Sequence, residues 1–150
     1  MRCVKIFFAF LIAPSLFAAN EYPPSFRWRT ITTEHFLIHY HQGEEELARR
    51  AAMYAEGAHA RVTPMIGWRP SERTHIILAD HVDASNGSAT PFPNNRIDIY
   101  VTAPGADPSS PIGDYDSWLN LVITHEYVHI LHLDQALGFS RAMRAVSTFQ

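Results

Sequence analysis

His125, Glu126 and His129 stand in the order His-Glu-Tyr-Val-His, a spacing that can do metal chemistry on a helix. Helical residues four apart share one face, about 5.4 Å apart along the axis. Two imidazoles so placed can point at one zinc ion. The glutamate beside the first histidine can then hold and deprotonate a water that the metal activates. Five residues thus supply two ligands, His125 and His129, and a general base, Glu126. The pattern is short, and a chain with nine histidines can produce it by chance. Its surroundings weigh against chance. Trp118 to Asp134 holds no Gly or Pro, and Leu121, Val122, Val128 and Leu131 recur with the histidines at helical spacing. Asp114, Asp116 and Ser117 offer N-caps, and Gly138 offers a stop. Two histidines and a glutamate on a buried helix are costly unless paired or metal-bound. The plain alternative is a helix whose polar residues satisfy one another.

A catalytic zinc site takes three protein ligands and keeps one position open. The sequence HExxHxxGxxH would supply the third from the same segment. Here His132 and Gln135 stand where its glycine and last histidine belong, so that solution is excluded. A glutamate from a following helix is the other large solution, and Ile130 to Gln150 contains no glutamate. His132 faces the same way as His125 but lies about 10 Å farther along the helix. It can line a cleft without joining both histidines on one ion. Asp134 projects opposite His125 and suits an anchor for the helix end. His35, His39, His41, His59, His75 and His81 have no ligand spacing. His39 and His41 share a strand face, which reads as a cross-strand polar pair rather than a metal site. The third ligand is therefore expected beyond residue 150.

The elements that must position this helix are legible upstream. Phe26 to His41 alternates and reads as one or two strands broken near Thr33-Glu34. Glu44 to Val62 reads as a helix with an apolar stripe of Leu47, Ala51, Tyr54, Ala55, Ala58 and Val62. Glu44, Glu45 and Glu46 suit the positive end of its dipole as a solvated first turn. Pro64 and Gly67 end it. Thr74 to Ala79 reads as a buried strand, Asp83 to Asn95 as a loop, and Arg96 to Thr102 as an alternating strand. Pro104 to Gly113 connects to the HExxH helix.

Residues 1–19 have the layout of a secretory signal peptide: a short basic start with Arg2 and Lys5, an apolar run from Ile6 to Phe17, then Ala18-Ala19. The run is shorter than the ~20 residues of a membrane span. Export to the periplasm or the extracellular space follows. Cys3 is the only cysteine and would leave with the leader, so no disulfide supports the mature fold. Residues 20–150 suffice for one core. The formal charge is −3, and −5 without Arg2 and Lys5, with no basic stripe to suggest nucleic acid.

Leu121-Val-Ile-Thr-His-Glu-Tyr-Val-His-Ile-Leu-His-Leu-Asp-Gln135 resembles the active-site helix of glutamate zincins in the peptidase MA-like group. It is most similar to secreted bacterial proteins that join such a domain to a C-terminal β-propeller of the Tol-associated type. Asn95 to Ala103 and Trp28 to Tyr40 also resemble that family, so the resemblance covers most of residues 26–140. HExxH is its one sharp motif. The resemblance implies an α+β fold, the N-terminal half of a zincin-like domain: a small mixed sheet, a backing helix and the HExxH helix. It implies zinc held by His125, His129 and a later glutamate, with Glu126 as base in the hydrolysis of a peptide or protein substrate. In that architecture an edge strand borders the cleft and pairs with extended peptide. Arg96 to Thr102 is the candidate, with Asn86-Gly87-Ser88-Ala89 read as a loop at the rim. The family's next helix carries a tryptophan and a Glu-Gly pair that supplies the third ligand. No tryptophan and no Glu-Gly pair follow the HExxH helix up to Gln150, and the domain reads as truncated at its C-terminal end.

Three rival readings remain. One is an inactive zincin-like binding module of a larger secreted protein. Another is a zinc hydrolase acting on something other than peptide. The last is a structural protein with a fortuitous HExxH. Substrate, cleavage preference and oligomeric state have no signature in the sequence.

Overall fold

The computed structural model describes residues 22–79, 85–101 and 115–136. The expected signal peptide of residues 1–19, Asp114, Gly138 and His81 lie outside them. The elements are β1 (Arg29–Thr32), β2 (Phe36–Tyr40), α1 (Glu45–Ile66), β3 (Thr74–Ala79), β4 (Ser85–Thr90), β5 (Arg96–Val101) and α2 (Tyr115–Ala136). The five strands form one sheet in the order β1-β2-β3-β5-β4. The architecture is α+β: a mixed sheet with two helices.

β1 and β2 form an antiparallel hairpin, Arg29 opposite Tyr40 and Thr32 opposite Leu37. β2 and β3 run parallel, as do β3 and β5. Parallel neighbours need a crossover, and α1 provides it between β2 and β3. β4 returns antiparallel to β5, with Gly87 opposite Ile99.

Alternation decides the two faces of the sheet. Phe36, Ile38, Tyr40, Ile76, Leu78, Ile97, Ile99 and Val101 are buried and pack toward the helices. Burying each large apolar side chain of this set contributes about 1.5–3 kcal/mol. α1 meets this core with a face of small residues, Ala48, Ala51, Ala52, Ala55 and Ala58, which lets α2 and the sheet approach closely. The other face carries Leu37, His39, His75, Ile77, Arg96, Asp98 and Tyr100. Asp98 is buried there, hydrogen-bonded by Tyr22 and Arg96.

Four expectations change. α1 runs through Pro64 and ends at Gly67, whose φ of 73° needs the left-handed region that glycine enters freely. Proline is tolerated there because only the last turn loses a bond. Glu44 is buried beside His41, and Glu45 pairs with Arg29, so the glutamates are not simply a solvated turn. Residues 85–90 are a strand, not a loop. Consequently Arg96–Val101 is an interior strand between β3 and β4, and the edge beside α2 is β4. A polar strand such as Ser-Asn-Gly-Ser-Ala-Thr has little intrinsic preference for the sheet. It is held by its ladder to β5 and by α2 beneath it.

Candidate functional site

α2 turns Leu119, Ile123, Tyr127, Ile130 and Leu131 into the core. The opposite stripe, with Leu121, His125, His129 and His132, is exposed, and Leu121 is 53% so. The expectation of a helix burying both histidines is therefore corrected: the imidazoles face outward, and only the glutamate between them is enclosed. His125 Nε2 and His129 Nε2 lie 3.1 Å apart, with the ring planes at 81°. With metal–nitrogen bonds of ~2.0–2.1 Å, two nitrogens so spaced subtend about 95–100° at a shared ion. Opening the pair by about 0.2–0.3 Å would reach the tetrahedral angle at those bond lengths. The donor set and its spacing fit zinc.

Glu126 is 7% exposed and lies against β4. A methyl group added at Gly87 would stand 2.7 Å from Val122 Cγ2, 2.8 Å from Glu126 Cγ and 2.9 Å from Glu126 Oε1. The edge strand thus passes over the proposed base so closely that only a residue without Cβ fits. Asn86 Oδ1 accepts the Gly87 N–H at 2.9 Å, at the same point of the strand.

Tyr127, the next residue of the motif, is 1% exposed and serves the other side of the helix. Its ring packs on Phe36 at 5.1 Å, and its hydroxyl shares a 2.7 Å hydrogen bond with His59 Nδ1. Burial, then the Glu56 carboxylate, pushes the Tyr127 hydroxyl well above the usual phenol range. His59 stacks face to face on His35, centroids 3.6 Å apart at 17°. Burial, then the neighbouring His35, holds the His59 pKa down. Glu56 accepts both the His35 backbone N–H at 2.9 Å and a bond to His35 Nδ1 at 2.7 Å. Burial pushes Glu56 up, but hydrogen bonds from Thr33 and His35 outweigh it and leave the carboxyl lowered. A cavity of about 570 Å³ opens beside His35, His59 and Tyr127 rather than over His125 and His129. No sequence spacing pointed to this group, because its members come from the turn before β2, from α1 and from α2.

Asp134 is 2% exposed and accepts Trp68 Nε1–H at 2.9 Å and Asn95 Nδ2–H at 3.2 Å. It anchors the end of α2 to the segment after α1 and to the start of β5, the role its helical position implied. His132 stays on the exposed stripe. His39 pairs with His75 rather than with His41, which is buried against Phe26. Among the described residues no group of three or more His, Cys, Asp or Glu side chains could hold a metal ion. His125 and His129 are two imidazoles brought together without a third such side chain among the described residues. Models of known families, curated proteins and solved structures give no match to this chain.

Proposed function

We propose that this chain carries the front part of a secreted zinc-dependent peptidase domain of the glutamate-zincin type. The carrying observation is the 3.1 Å pair of imidazole nitrogens on the exposed stripe of α2, with Glu126 enclosed beside it under the edge strand. His125 and His129 would hold zinc, with the third ligand supplied from chain following residue 150. Bound there, zinc would polarise a scissile carbonyl and acidify water. Glu126 takes the proton of the attacking water and delivers it to the leaving amine. Its enclosure by β4 limits the positions its carboxylate can occupy, which favours one direction of proton transfer. β4, the edge strand among the described residues, replaces Arg96–Val101 in that role and aligns an extended peptide by strand addition. Export by the leader and a C-terminal β-propeller belong to the same proposal.

The test uses the chain with its downstream sequence, zinc, and an unfolded protein substrate such as casein. Glu126→Gln keeps one zinc per chain and lowers hydrolysis by about 10²–10⁴-fold, the range for a lost general base. Turnover unchanged in that variant removes Glu126 as base. Zinc binding without hydrolysis in the parent would favour the binding-module reading instead.

A further inference from the structure

A second pair of histidines lies on the face of the sheet opposite the two helices. His39 Nε2 is 2.8 Å from His75 Nδ1, with ring centroids 5.1 Å apart and planes at 18°. That centroid separation equals the nitrogen–nitrogen distance plus one ring radius at each end. The rings therefore meet nitrogen to nitrogen, nearly coplanar, with their in-plane lone-pair directions on one line. The other two histidine pairs differ. His35 and His59 lie face to face, so their lone pairs run side by side and cannot share an ion. His125 and His129 stand at 81° and suit a bent angle.

We propose that His39 and His75 form a linear, two-coordinate site for a soft monovalent cation, copper(I), which silver(I) mimics. Imidazole is a good ligand for copper, and closed-shell monovalent ions of this kind favour two ligands in line. With a metal–nitrogen bond of ~2 Å the nitrogens must separate to about 4 Å, roughly 1 Å more than they do now. Room for that exists, because both rings line a cavity of about 340 Å³.

The proton balance also closes. One ring now donates its N–H to the other, and that hydrogen must leave the line between them. If it sits on His39 Nε2, it moves to Nδ1, where Thr30 Oγ1 at 2.9 Å accepts it. If it sits on His75 Nδ1, it moves to Nε2. A hydroxyl can donate or accept, so Thr30 orients His39 in either tautomer. The ion binds two neutral imidazoles with no proton released.

Charge selects a monovalent over a divalent ion. Tyr22, Trp28, Ile77, Pro93 and Asn94 wall the cavity; no carboxylate lines it, although the Glu72 charge acts on His75 from the neighbouring cavity. Arg96 also lines it, its charge answered by Asp98 at 2.9 Å. A divalent ion there would bring two charges to two neutral ligands beside a guanidinium, at high desolvation cost. One charge costs less.

The test titrates silver nitrate, in chloride-free buffer, into the full chain carrying Cys3→Ser, which removes the competing thiol. Imidazole nitrogen NMR reads each histidine separately. One equivalent of silver shifts His39 Nε2 and His75 Nδ1 together and splits both by coupling to the metal. Zinc at the same concentration leaves both nitrogens in place. His39→Ala loses that equivalent, while His125→Ala keeps it. Silver coupled only to His125 and His129, or zinc moving the His39–His75 pair as readily, overturns the assignment. The coupling is read in the unsubstituted pair, so a variant that fails to fold does not decide the outcome.

Discussion

Gly87→Ala isolates the contact on which the placement of Glu126 depends. Gly87 does not have a positive φ, so alanine meets no backbone penalty there. Stiffening the unfolded chain would by itself stabilise the protein by about 0.4–1 kcal/mol. Against this, the new methyl stands under 3 Å from three atoms of α2, two of them carbons. Val122 is β-branched and has little rotamer freedom in a helix. The Glu126 carboxylate can swing, but its Cγ is fixed close to the backbone. Overpacking of this kind costs about 1–3 kcal/mol, so the clash wins and the net loss is about 1–2 kcal/mol. With a urea dependence of ~1–3 kcal/mol per molar, the unfolding midpoint falls by about half to one molar. Urea unfolding followed by circular dichroism measures it. Adding Val122→Ala removes the shortest of the three contacts, so the second substitution costs less in the Gly87→Ala background than alone. An alanine variant as stable as the parent, or more so, would mean that β4 does not press on α2. The account of how Glu126 is held would then fall with it.

Three further outcomes follow from other contacts. Asp134→Ala removes the acceptor of the part-buried Trp68 and buried Asn95 donors and destabilises by about 1–3 kcal/mol, read by denaturation. A loss below about half a kcal/mol would deny Asp134 its anchoring role. Tyr127→Phe leaves His59 without its hydroxyl partner at a cost of about 1–2 kcal/mol, yet leaves zinc binding at His125 and His129 unchanged. A large fall in zinc affinity would show that the Tyr127 side of α2 sets the histidine geometry. Acidification is the third. Burial holds His39, His59 and His75 below their ordinary 6.5, so the unfolded chain takes up protons first as pH falls. Their contribution is complete above pH 6.5 and is lost as pH falls from there through the lowered folded values. Unfolding free energies at pH 7.5 and 5.5 should show the loss, and greater stability at 5.5 would reverse the sign assigned to these burials.

Some of this was readable from residue order and some was not, for physical reasons. The run Ile76-Ile77-Leu78 is apolar and short, and it is a strand over the predicted residues. The alanine stripe of α1 has the helical period because a flat contact with sheet and helix demands it. β4 was invisible because Asn86, Gly87 and Ser88 have no strand preference; the ladder to β5 and the helix below supply what composition lacks. That omission also misplaced the edge, since alternation from Arg96 to Val101 reports one covered face and says nothing about neighbours. The motif residues were legible as two imidazoles and a carboxylate on one helix, but their exposure was not. His35, Glu56, His59 and Tyr127 meet only through the fold, and no local pattern announces a contact between residues 68 apart, such as His59 and Tyr127.

Glu126 and Tyr127 are neighbours in the chain yet are gripped by different elements, one by the strand above, the other by α1 and β2. Two grips about 100° apart around one cylinder act as keys in keyways: they stop α2 from rolling about its axis. A roll of 20° would carry side chains at a radius of ~5–6 Å through about 2 Å, enough to spoil a shared ligand geometry. With rolling blocked, the two imidazoles keep their azimuth as long as the core is intact. Lifting of the thin strand above would release one of the two grips and leave Tyr127 alone to hold the azimuth of the histidines.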